Sequence, residues 1–230
     1  MRLVLLHPAS RPDDELSPRT AARRSTGTPK APRPDIRTRK QWGADESWRD
    51  GSPRTNRTIE QVHVHHTVSG NTYSRKETAA LIRGMYRYHT KSLGWSDIGY
   101  NFLVDRFGRT WVGRAGGPSR PIRGAHTLGF NHTSVGVAVI GNYESAAAVD
   151  RIVTAIVRLA AWKLDRYDRK PRGRTRVYSH GSDKYPKGWV RLKVIDRHRD
   201  THDPACPGDR LYARLPEIRK RTHWHVKRWS

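Results

Sequence analysis

Gln61-Val-His-Val-His65-His66-Thr-Val68 is the stretch on which the reading of the fold turns. Val62, Val64 and His66 alternate with His63 and His65, the period of two expected of a β-strand, so one face carries valines and the other two imidazoles. Downstream, Ser74-Arg-Lys-Glu77 has the pattern of a capping box and opens a helix to about Thr90, with Leu81, Ile82, Met85 and Tyr86 as its buried stripe. Residues 100–105 and 110–113 read as two strands joined by a turn at Arg106-Phe-Gly108-Arg109. Residues 134–140 form a continuous apolar strand stopped by Gly141-Asn142. Residues 146–165 predict a second helix, with Val149, Ile152, Val153, Ile156 and Ala160 at helical spacing. Residues 176–180 and 190–195 are weaker strand candidates, and 209–222 a last helix with Leu211, Tyr212 and Leu215 inward.

Strands alternating with helices predict one α/β domain, a central mixed sheet flanked by helices on both faces. Ligands on such sheets gather at strand ends and in the loops beyond them. His65 ends one strand and His198 follows another, so both are expected on one rim of the sheet. Residues 198–211 read His198-Arg-Asp-Thr-His-Asp-Pro-Ala-Cys206-Pro-Gly-Asp-Arg-Leu211 and hold the only cysteine of the 230 residues. A lone cysteine forms no internal disulfide, which leaves it the roles of ligand, nucleophile or small buried residue. His65, His198 and Cys206 would give zinc three protein ligands with the fourth position open, the catalytic rather than the structural pattern. The loop at 115–131, with four glycines and two prolines, has a length often met at functional sites.

Composition adds bounds. Net charge is +24, from 45 Lys and Arg against 21 Asp and Glu, which draws the chain to polyanions without identifying one. No known zinc-finger spacing supports a nucleic-acid protein, and no specific nucleic-acid partner is expected. No segment is apolar enough to span a membrane. Residues 1–38, rich in Pro, Arg, Ser and Thr, read as a disordered basic leader. Their first apolar run of four residues is short of the roughly 7–15 of a signal peptide. The ordered domain is expected over 39–220, and 221–230 as a basic aromatic tail, more a frayed end than a surface for glycan, nucleic acid or membrane. His7, His89, His132, His180, His223 and His225 read as ordinary surface or packing residues; His63 lacks motif support as a ligand.

In order along the chain stand Trp42-Gly-Ala, His65-His66-Thr67, Gly94-Trp95-Ser-Asp97-Ile-Gly99-Tyr100-Asn101-Phe102, Gly113-Arg114, Gly124-Ala-His126, Ser134-Val-Gly136-Val, Gly141-Asn142 and His198-Arg-Asp to Cys206-Pro-Gly. This ordered set resembles the peptidoglycan recognition protein family and the related type-2 N-acetylmuramoyl-L-alanine amidases over about residues 39–220. The resemblance implies a zinc in a surface groove and cleavage of the amide between N-acetylmuramic acid and L-alanine in bacterial peptidoglycan, with muropeptides as partners. It assigns His65, His198 and Cys206 as zinc ligands and Tyr100 as the tyrosine beside the attacking water. It also puts Trp95, Arg114, His126 and Asn131 on motifs that line the substrate cleft. Trp95 could equally pack the core, Arg114 be a solvated cation and Asn131 cap a turn.

One position departs from the family. Two residues before the cysteine, Thr or Lys is usual and helps stabilise the transition state; here it is Pro204, which has no donor. Losing one such hydrogen bond costs about 10²–10³ in rate. His202, Thr201 or a backbone N–H are the candidate substitutes, and a recognition module that binds muropeptide without cutting is the alternative. The substrate implies a secreted or cell-wall-associated, bacteriolytic protein, and a monomer is expected.

Overall fold

The computed structural model describes residues 29–202 and 205–230. Its elements are β1 (Ile36–Arg37), α1 (Arg39–Trp42), β2 (Gln61–His66), α2 (Thr78–Arg87), β3 (Phe102–Val104), β4 (Thr110–Val112), β5 (Ser134–Val139), α3 (Asp150–Asp165), β6 (Arg174–Ser179), β7 (Gly188–Lys193), β8 (Ile195–Arg197), α4 (His198–Thr201), α5 (Asp209–Tyr212) and α6 (Leu215–Lys227). Six strands make one sheet in the order β1-β4-β3-β5-β2-β8. β3, β5, β2 and β8 run parallel and β4 antiparallel to β3, so the sheet is mixed, as the alternation of elements led us to expect.

Helices cover both faces of this single α/β domain. Val62, Val64, Val135, Val137, Val139, Phe102 and Val104 pack against Ile152, Ile156 and Leu159 of α3 and Leu215 and Ile218 of α6. On the other face Leu103, Ala138 and Ile140 meet Trp42, Ile82 and Tyr86. β2 sits centrally between β5 and β8, and all six of its residues are buried. The capping box before α2 is present: Glu77 Oε2 accepts from Ser74 N (2.7 Å) and Ser74 Oγ from Glu77 N (3.3 Å). Asp105 shapes the β3–β4 turn, its Oδ1 accepting from the backbone N–H groups of Phe107 and Arg109.

Four sequence readings are corrected. The helix read from 146 starts at Asp150; Val149 is extended (φ −67°, ψ 158°) and 39% exposed. Arg214 holds the preceding segment out of the helix by donating to Ala148 O (2.6 Å) and Asp150 Oδ1 (2.5 Å). The strand read at 190–195 is two strands. β7 pairs with β6 in a separate ribbon, and Val194, whose carbonyl accepts from Val62 N, carries the chain into β8 and the main sheet. The helix read at 209–222 is α5 and α6, interrupted where Pro216 opens α6, and α6 continues through residues read as a tail to Lys227. Residues 29–38, read with the leader, carry β1 and the buried Ala31, whose N–H donates to Asp165 Oδ2 (2.9 Å). The rest of that leader, 1–28, lies outside the described residues.

Candidate metal centre and active site

The parallel pairing of β2 and β8 aligns Val62 with Ile195, His63 with Asp196 and Val64 with Arg197. One step further along, His65 meets His198, their ring centroids 4.9 Å apart. Cys206 reaches the same point from the following loop, its Sγ 3.7 Å from His65 Nδ1. One ligand atom from each of the three residues lies within 4.8 Å of the other two, and all three side chains are buried. Arg199 clamps the cysteine loop: its N–H donates to Cys206 O (3.1 Å), and its guanidinium to Ala205 O (2.6 Å) and Asp209 Oδ1 (2.9 Å). Gly208 completes the turn at φ 85°, where a Cβ would lie 2.3 Å from the Tyr143 carbonyl carbon.

A chain of hydrogen bonds behind His65 sets its tautomer. Ser134 Oγ donates to Phe130 O (2.8 Å), so it accepts from His126 Nε2–H (3.4 Å). His126 Nδ1 is then bare and accepts from His65 Nε2–H (3.1 Å). His65 Nδ1 is left without a proton, facing the cysteine sulfur. Backbone geometry leaves room for this relay: a Cβ on Gly136 or Gly124 would come within about 2.5 Å of the His126 ring.

Burial governs the electrostatics. It drives His65 and His198 well below the ordinary imidazole range, reinforced at His65 by His198 and His126 and at His198 by His202, so both rings are neutral near pH 7. Burial pushes the Cys206 thiol up to about 12. His198 Nδ1 is buried and has no hydrogen-bond partner among the described residues. Two neutral imidazoles, one of them with an orphaned nitrogen, and a desolvated sulfur suit a soft divalent cation, whose charge would favour the thiolate; the donor set fits zinc.

The remaining predicted residues divide. Tyr100 lies beside the cluster, its ring centroid 5.5 Å from that of His65, and burial followed by Cys206 holds its hydroxyl proton well above the usual phenol range. Trp95 is half-buried and stacks on His89 (4.5 Å, 8° between planes). The Arg114 guanidinium donates to Ile98 O (3.1 Å) and Ser96 Oγ (3.0 Å). Read as a substrate contact, His126 instead lies behind His65, 2% exposed, its ring nitrogens taken by His65 and Ser134. Asn131, likewise read toward substrate, folds its own loop: its Oδ1 accepts from the N–H groups of His126 (2.9 Å) and Thr127 (3.0 Å). His66 faces away and accepts from Tyr143 N. Of the candidate replacements for the missing donor, Thr201 is spent on Thr127 Oγ1 and His198 O. His202 Nδ1 pairs with Asp183 Oδ2 at 2.9 Å. Pro204 itself lies outside the described residues. The sequence reading missed Arg199 and Ser134, whose partners lie four to ten residues away across irregular loops, where no helical or strand period signals the pairing.

The family of N-acetylmuramoyl-L-alanine amidases matches residues 55–209. The chain belongs to this amidase family. Among its relatives, the peptidoglycan-recognition protein SA of Drosophila melanogaster is 35% identical over 128 residues, covering 56% of this chain and 60% of the relative. The N-acetylmuramoyl-L-alanine amidase of Homo sapiens is 35% identical over 125 residues, 54% of this chain and 21% of that protein. The chain thus spans less than two thirds of the length of either. Among solved structures, bumblebee peptidoglycan recognition protein SA superposes with a TM-score of 0.60 at 27% identity, over 80% of this chain and 94% of that one. Peptidoglycan recognition protein LE, solved in complex with tracheal cytotoxin, a monomeric diaminopimelic acid-type peptidoglycan, gives 0.61 at 27% identity over 79% and 92%.

Proposed function

We propose that this amidase-family chain hydrolyses the amide between N-acetylmuramic acid and L-alanine in bacterial peptidoglycan, with zinc held by His65, His198 and Cys206. The observation that carries the reading is the convergence of those three side chains within 4.8 Å, beside Tyr100. When bound, zinc polarises the scissile carbonyl and activates water for attack. The chain's own residues do the rest. The relay from Ser134 through His126 keeps the Nδ1 lone pair of His65 aimed at the cluster. The Tyr100 hydroxyl, which burial keeps protonated, would donate to the oxygen that gains charge as the carbonyl becomes tetrahedral; its ring beside His65 supports this role. The low dielectric around these buried groups strengthens that donation.

A second reading has one observation in its favour. Pro204 stands where the family usually carries a donor, which suits binding of muropeptide without cleavage. Product analysis separates the two. Zinc-loaded protein and a Cys206→Ala variant are incubated with soluble muropeptide, and mass spectrometry follows release of a stem peptide with a free alanine amine. Release by the parent alone supports the amidase. Intact substrate at concentrations where binding is measured assigns the chain to recognition. Under either reading the ligand is peptidoglycan, which supports a working location outside the cytoplasmic membrane; among the described residues no helix is long and apolar enough to cross one.

A further inference from the structure

The β6–β7 ribbon has two different faces. Inward, Val177, Leu192 and Val190 pack with Phe130. Outward, the register sets Arg174 opposite Lys193, Arg176 opposite Arg191 and Tyr178 opposite Trp189. Cations of like sign directly opposite one another destabilise an antiparallel pair. Two such rows stand here in succession, on a ribbon that has only two strands. None of the four cations forms an ion pair with a carboxylate among the described residues. Asp200, whose field reaches Arg174 and Lys193, is engaged by Arg197 at 2.6 Å. Lys193 feels the excess: Arg219, then burial, Arg174 and Arg197, lower its pKa against the opposing pull of Asp200.

The layout suits a chain rather than a compact ion. Successive rows on one face of a strand repeat at about 7 Å, and this face is an outward strip, with Arg174, Arg176, Trp189 and Arg191 exposed. At the aromatic row, the Arg176 guanidinium lies over the Trp189 ring (4.8 Å from its centroid) and Tyr178 meets that ring edge-on (5.5 Å, 82°). A nucleobase seeking that covered indole face would have to displace the guanidinium, whereas an anion gains from it. The turn at that end is tied to the metal-ligand segment, since Lys184 Nζ donates to Arg199 O (2.7 Å) and Asp183 holds His202.

We propose that the outer face of this ribbon binds a linear anionic polymer of the bacterial wall, with Arg174, Arg176, Arg191 and Lys193 as its cation rows. The choice of a wall polymer over other polyanions rests on the proposed peptidoglycan substrate; the cationic strip itself does not. Full-length protein is sedimented with sacculi that keep their phosphodiester polymers and with the same sacculi stripped by hydrofluoric acid, across a salt series. Muropeptide binding and release are measured in parallel. The parent is expected to bind unstripped sacculi about tenfold more tightly. Arg176→Gln with Arg191→Gln is expected to abolish that preference and flatten the log–log salt dependence by about two. Muropeptide handling stays unchanged, which also reports an intact fold. Equal binding to both sacculi, an unaffected double variant, or a stronger ribbon-dependent preference for duplex DNA would each overturn the proposal. Failure of muropeptide cleavage alone would overturn the amidase reading and leave this one standing.

Discussion

His65 Nε2 and His126 Nδ1 share one hydrogen bond of 3.1 Å, and through it a residue behind the His65–His198–Cys206 cluster decides which nitrogen of His65 is bare. Partners of this kind typically change metal affinity by 10–100-fold when removed. His126→Ala is therefore expected to weaken zinc binding by about that factor, and Ser134→Ala by less. Competition with a chromophoric chelator measures it, with circular dichroism as the check on folding. Unchanged affinity in His126→Ala would show that the relay does not set the tautomer.

Tyr100→Phe removes one hydroxyl and leaves the ring. A donor to a developing oxyanion is worth about 10²–10³ in kcat. We expect a loss of that size with zinc stoichiometry unchanged and KM little altered. A loss confined to KM would make Tyr100 a binding residue instead.

Gly208→Ala meets two obstacles at once, a φ of 85° and a backbone carbonyl carbon 2.3 Å from the new Cβ. The strain alone is worth about 1–3 kcal/mol. Urea denaturation is expected to show at least that loss. Zinc affinity should fall with it, because the turn carries Cys206.

Lys163 gives a pH test that does not involve the His65–His198–Cys206 cluster. Its ammonium is almost wholly buried and donates to Pro118 O (3.0 Å) and Arg120 O (3.1 Å), and burial, aided by Arg166, lowers its pKa from 10.5 to about 7. Between those values the unfolded chain holds a proton that the folded chain lacks. Stability from this group therefore rises with pH across about 7 to 10.5 and is flat below that window, with a full span on the order of 5 kcal/mol. Denaturation of the parent and of Lys163→Met at both ends of the window isolates it. Identical pH slopes would refute the assignment.

Where local chemistry and tertiary packing agree, the fold was legible. The alternation in β2, the Ser74–Glu77 box and the turn residues around Gly108 each act within a few residues, and each is present. Long-range contacts set the rest. Nothing near Val194 announces that its carbonyl joins β2 while β7 turns to β6, so one apolar run was read as one strand. Arg214, 64 residues from Asp150, delays the start of α3. That His65, His198 and Cys206 belong together was legible because their types and their family motif both point to a metal, and the three side chains do converge. The placement of His126 behind His65 was not, since a motif gives a residue's identity and not the partner of each ring nitrogen.

The meeting of His65 and His198 across neighbouring parallel strands has a further consequence. Cys206 and His65 are 141 residues apart in sequence, and β8 is the last strand to reach the sheet. Contacts of such separation carry a large loop-closure cost and contribute only once the intervening chain is ordered. The cluster therefore works as an interlock. A nascent chain that still lacks β8 and the segment after it holds His65 but neither His198 nor Cys206, so two of the three side chains of the cluster are missing. On the proposed amidase reading, competence to cut would arrive only once β8 has joined β2.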